Sequence, residues 1–173
     1  MAVTETGTAT AEDAGAERAR QLAERAHRGQ VEPSGRMLLD HVRRVASAVP
    51  PFARSVAWLH DALEWGGVGE PDLAAGGLGP DELTAVRLLT RGEDERGDRG
   101  FLAHVRLIGR AAGRAGHIAR IVKRADMEDR ACHPRDPGAD WAPPYDRALA
   151  LLAEEGARRS RRAGPRRSGS GRP

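Results

Sequence analysis

His60 and Asp61 stand side by side in "AWLHDALEW" (57–65), with Glu64 one helical turn further on. An imidazole next to a carboxylate is half of a divalent-metal site, and a neighbouring glutamate can handle a metal-activated water. Six histidines and twelve aspartates in 173 residues produce about 0.4 such dipeptides by chance, so the pair counts only if it has partners.

Two other positions, His41 and Asp126, offer themselves as partners. His41 sits among Leu38, Val42 and Val45, His60 beside Val56, Leu59 and Leu63, and Asp126 after Ile118, Ile121, Val122 and Ala125. At 100° per residue, His41, His60 and Asp126 fall at the edge of an apolar stripe, where packed helices diverge and a cleft can open. Buried carboxylates need partners. His41, His60, Asp61 and Asp126, drawn from three helices, can satisfy one another around Mn²⁺, Fe²⁺, Co²⁺ or Zn²⁺. A plainer reading stands beside this one. A lone histidine on an apolar face is usually a hydrogen-bonded structural residue, and Asp126 can pair with Lys123 or Arg130 at i−3 and i+4. Spacing alone leaves both open.

The elements that must position these residues read as helices throughout. One runs from about Glu12 to near Gly29, and a second carries Leu38, Val42, Val45 and Val49 up to "PP" at 50–51. A third spans Phe52 to Trp65, with Pro51 in its first turn. The Gly-rich stretch 66–80 holds one short helix near Pro71–Ala75. Asp81 caps a helix through Thr90, "RGEDERGDRG" (91–100) is a charged loop, and helices follow at about 101–113, 116–130 and Tyr145–Glu155. No segment alternates with period 2 and no internal repeat is present. The expected class is all-α, six or seven helices, with aliphatic packing because aromatics make up only 3% of the chain.

The net charge of +3 comes from one end. Residues 1–155 hold 21 of the 28 basic residues and all 25 acidic ones, a net of −4, and the seven remaining arginines follow Glu155. The expected organisation is a disordered start (1–10), one domain (11–155) and a disordered Arg-rich tail (156–173). Only that tail would bind nucleic acid, nonspecifically. Cys132 is the single cysteine, excluding an internal disulfide and a Cys-rich zinc module. No signal-peptide pattern and no membrane-length apolar run are seen, so a cytoplasmic address is expected.

Order and local context add a resemblance. "AERAHRGQVEPSGRMLLDH" (23–41), "AWLHDALE" (57–64), "LTR" (89–91), "FLAHV" (101–105) and "IVKRADMEDR" (121–130) resemble, in this order, segments of the HD-domain metal-dependent phosphohydrolases. Among them the chain is most similar to the alarmone (guanosine penta/tetraphosphate) 3′-pyrophosphohydrolases of the stringent response, from about Ala19 to Leu152. The resemblance implies a helical bundle with one metal, Mn²⁺ foremost, between its helices. It implies His41, His60, Asp61 and Asp126 as ligands, Glu64 as the residue that handles the water, and Ser34 as a loop residue near a nucleotide. His27 matches a recurrent family histidine taken as structural, and His104, His117 and His133 gain no role.

The chain also departs from that pattern. Trp65 replaces a second acidic residue, Glu32 and Pro33 a basic pair in the nucleotide loop, Leu38 a tyrosine and Arg130 an asparagine. Arg36, Lys123, Arg124 and Arg130 are candidate phosphate partners. The expectation is a phosphohydrolase of a nucleotide pyrophosphate or phosphate ester, with an alarmone-like substrate still open although the substrate-reading residues are altered. The alternative is a catalytically weak HD domain that binds a nucleotide or a protein.

Overall fold

Wherever small aliphatics recur three or four residues apart, the chain buries that side as a helix. A computed structural model describes residues 11–32, 35–92, 97–133 and 143–162. They form α1 (Ala11–Ala26), α2 (Leu38–Ala48), α3 (Pro51–Leu59), α4 (Ala62–Trp65), α5 (Glu70–Ala75), α6 (Pro80–Leu89), α7 (Gly97–Arg110), α8 (Gly113–Cys132) and α9 (Tyr145–Arg162). The fold is all-α. Among the described residues the only β pairing is an isolated bridge from Val31 to Met37, which closes the turn between α1 and α2. None of the helices is long and apolar enough to cross a membrane.

Helix starts follow local chemistry. Pro51, Pro71 and Pro80 occupy the first turns of α3, α5 and α6, where a missing N–H costs nothing. The Asp72 and Glu82 carboxylates accept the backbone N–H of Gly69 and Gly79, each at 2.8 Å, tying down α5 and α6. Gly79 is therefore the cap of α6, and Asp81 falls inside the first turn.

Other boundaries differ from the sequence reading. The helix expected over Phe52–Trp65 is interrupted at His60–Asp61, where Asp61 takes φ −99° and ψ −2°. The ladder resumes as the Trp65 N–H bonds to the Asp61 carbonyl at 2.9 Å. α1 stops at Ala26, α7 begins inside the expected charged loop, and α9 continues to Arg162, seven residues past its expected end. Arg159 supports that extension by donating to the Arg110 carbonyl at 3.2 Å. Residues 1–10 and 163–173 lie outside the described residues.

The centre of the bundle is α8, which packs on α2, α3, α6, α7 and α9. Leu59, Ile108, Ile118 and Met127 are fully buried, with Val42, Val45, Val56 and Val105 around them. Each such side chain contributes about 1.5–3 kcal/mol of transfer free energy. The same helix that organises this core also carries Lys123, Asp126, Asp129 and Arg130, so its packing sets their positions.

α7 and α9 approach closely at Gly109, where an added Cβ would lie 2.7 Å from the Glu155 Cβ. Gly109→Ala is expected to destabilise the fold by about 1–3 kcal/mol, since α9 must shift to accept the methyl group. Gly156, on α9, has nothing within 4 Å of such a Cβ. There the alanine should stabilise by about 0.4–1 kcal/mol through the unfolded state. Thermal denaturation of the two variants checks the opposite signs.

Candidate metal centre

Three elements bring the site together. α2 contributes His41, whose neighbours Leu38, Val42 and Val45 anchor it in the core. The break between α3 and α4 contributes His60 and Asp61. Adjacent residues of an unbroken helix point about 100° apart, and the interruption relieves that divergence. Asp61 Oδ2 lies only 3.5 Å from His60 Nε2. α8 contributes Asp126.

The donor atoms converge. His41 Nε2 is 3.3 Å from His60 Nε2 and 3.3 Å from Asp126 Oδ1, and His60 Nε2 is 3.8 Å from Asp126 Oδ1. His41, His60 and Asp126 are all buried, and their ligand atoms fall within 4.8 Å of one another, a group that could hold a metal ion. Asp61 Oδ2 stands beside it, 4.0 Å from His41 Nε2.

The outer nitrogens of both rings are already committed. His60 Nδ1 donates to the Ala57 carbonyl at 2.8 Å, and His41 Nδ1 meets Asp129 Oδ2 at 2.7 Å. A carbonyl only accepts, so the His60 proton belongs on Nδ1 and its Nε2 turns a lone pair inward. Carboxylate or carbonyl support behind the ring is the arrangement that orients imidazole ligands. The donor set of two imidazoles and carboxylates therefore fits a divalent cation of the Mn²⁺ to Zn²⁺ series.

Electrostatics at the site follow from burial and partners. Burial pushes the His60 pKa down, against the pull of Asp61 and Asp126. Burial also opposes charge on His41, but its bonds to Asp126 and Asp129 prevail and raise it to about 9. Burial disfavours the charged form of Asp126, yet Lys123 and Arg130 hold it well below the usual carboxylate range. Asp61 is lowered in the same way, against its burial, by His60 and Arg130.

Lys123 and Arg130, candidate phosphate partners, line the same cavity as His60, Asp61 and Asp126 and are paired with its carboxylates. Lys123 Nζ is buried, donates to Asp126 Oδ2 at 2.8 Å and lies 5.5 Å from the centre of the Phe101 ring. Arg130 bridges Asp126 Oδ1 and Asp61 Oδ2, each at 2.7 Å, and its third nitrogen meets Glu32. The same-helix pairing of Asp126 is thus realised together with its approach to the histidines. Arg124 pairs with Glu128 on the surface, and Arg36 is exposed.

Glu64 lines one cavity with His60, Asp61 and Asp126, and Arg91 Nη2 donates to its Oε1 at 2.9 Å. Ser34 lies outside the described residues. His27 is buried away from the cluster, with Nδ1 2.9 Å from Gln30 Oε1. His104 is buried, His117 stacks on Phe52, and His133 Nδ1 donates to the Asp129 carbonyl at 2.8 Å.

No family model and no curated protein matches the chain. The site therefore stands on its own geometry.

That geometry includes residues the sequence reading passed over. Asp129 holds His41 while accepting two bonds from Arg44, at 2.6 and 3.0 Å. The available signal was its spacing, since a carboxylate three residues after Asp126 shares that face of α8. Glu32, already placed in the nucleotide loop, and Arg91, the last residue of "LTR", reach the site from loops, and no periodicity gives them these contacts.

Proposed function

We propose that this protein is a divalent-metal-dependent phosphohydrolase of the HD-domain kind, acting on a nucleotide pyrophosphate or phosphate ester in a cytoplasmic setting. The observation that carries the reading is the convergence of His41, His60 and Asp126, with Asp61 beside them, from the three helical segments where the resemblance expects ligands. Mn²⁺ is the favoured metal, held by these four residues. A bound divalent cation lowers the pKa of coordinated water and offsets charge on phosphoryl oxygens.

The chain's own residues do the rest. Asp129 and the Ala57 carbonyl fix the two rings with Nε2 inward. Lys123 and Arg130 stabilise the buried carboxylates as anions. Glu64, held by Arg91, takes the proton of the attacking water as its oxygen bonds to phosphorus and the phosphorus–oxygen bond to the leaving group breaks.

The test is an assay of the full chain with Mn²⁺ against a nucleotide panel that includes guanosine tetraphosphate. Wild type should release phosphate or pyrophosphate only with metal present, and Asp61→Ala should release none. No metal uptake and no turnover would overturn the reading. The saturation of Asp61 and Asp126 by Arg130 and Lys123 favours a second reading, a polar core that binds a nucleotide without turnover. Metal-dependent nucleotide binding with no product would select it.

A further inference from the structure

Trp65 is 51% exposed, one of few large apolar side chains so placed among the described residues. Val31, Met37 and Leu107 are the others, and none of them lines the cavity that holds His60, Asp61, Glu64 and Asp126. Trp65 does. Its backbone is also pinned on both sides. The N–H bonds to the Asp61 carbonyl at 2.9 Å, and the carbonyl accepts from Gln30 Nε2 at 2.6 Å. Gln30 is in turn gripped by His27, which is fully buried. An indole on so fixed a support is not a fraying helix end. Tyr145 lines the same cavity, edge-on to Phe101 with ring centres 5.9 Å apart.

The chemistry of the cavity is therefore divided. Its lining is ionic at His60, Asp61, Glu64, Arg91 and Asp126, and the half-exposed Trp65 adds a flat aromatic face. A phosphate alone has no use for that face. A ligand with phosphate at one end and a planar ring at the other uses both.

We propose that Trp65 is a stacking platform for the base of a nucleotide whose phosphate lies toward Glu64 and Arg91. This rests on the phosphohydrolase reading for the phosphate end only. Stacking of a base on an aromatic side chain is worth roughly 10- to 100-fold in affinity.

The experiment is calorimetric titration of the full chain, loaded with Mn²⁺, with three probes: guanosine monophosphate, ribose 5-phosphate and guanosine. Wild type should prefer the nucleotide over the sugar phosphate by about tenfold or more. Trp65→Ala should erase that preference and leave ribose 5-phosphate binding and metal content unchanged, while Trp65→Phe should keep most of it. Equal affinity of wild type for nucleotide and sugar phosphate overturns the platform and leaves the phosphohydrolase reading standing. Guanosine binding that needs Trp65, with no gain from phosphate, keeps the platform and counts against phosphohydrolysis. Failure of wild type to bind any of the three overturns both.

Discussion

His60→Ala should abolish stoichiometric metal binding. Wild type is expected to take up one equivalent of Mn²⁺ and to gain about 2.7 kcal/mol of stability when free metal exceeds Kd a hundredfold. In the alanine variant the melting temperature should no longer respond to Mn²⁺, and affinity should fall by at least a hundredfold. The reason is geometric. His60 Nε2 lies within 4 Å of His41, Asp61 and Asp126 together, and the bond from Nδ1 to Ala57 fixes its orientation. Because the alanine also empties buried volume, Asp129→Asn serves as the milder companion. It keeps every candidate ligand and weakens the support behind His41 along with the Arg44 pairing, so a 10- to 100-fold loss of affinity is expected. Metal analysis with thermal melts, with and without chelator, measures both. Unchanged uptake in His60→Ala would remove His60 from the site.

The second large effect is on turnover. Glu64→Gln should lower kcat by about 10²- to 10⁴-fold, the usual cost of losing a positioned proton acceptor, with metal content and KM nearly unchanged. The amide oxygen can still accept from Arg91, so the substitution removes the basic function and keeps the contact. Single-turnover assays with Mn²⁺ separate the chemical step from product release. Loss of metal in the same variant would make Glu64 a ligand, and undiminished turnover would assign the proton transfer elsewhere.

The periodic parts of the molecule were legible in the sequence. The stripe Leu38/Val42/Val45 predicts the buried face of α2, and Ile118/Val122/Ala125 that of α8, so His41 and Asp126 were found at the edges of real stripes. The interruption at His60–Asp61 was not legible, because no glycine or proline marks it. "AWLHDALEW" is good helix sequence, and the tertiary approach of α2 and α8 overrides its propensity. The extent of α9 was hidden for a different reason. Runs of arginine and small polar residues resemble a solvated tail until Arg110 of α7 pairs with Glu155 and accepts from Arg159. Lys123 and Arg130 were seen as cations, but whether they face solvent or the carboxylates depends on helix packing that no local pattern encodes.

On the proposed reading, the arginine and lysine that neutralise Asp61 and Asp126 bear on when activity can begin. A structural zinc module cannot fold before its ion arrives, because its buried ligands have nothing else to bind. Here Lys123 and Arg130 are carried on the same polypeptide and already satisfy those carboxylates. Chain folding is thereby decoupled from metal supply. On the proposed metal-dependent reading, a cell short of the ion would accumulate a folded, dormant protein that awakens when the metal returns, with no new synthesis and no refolding.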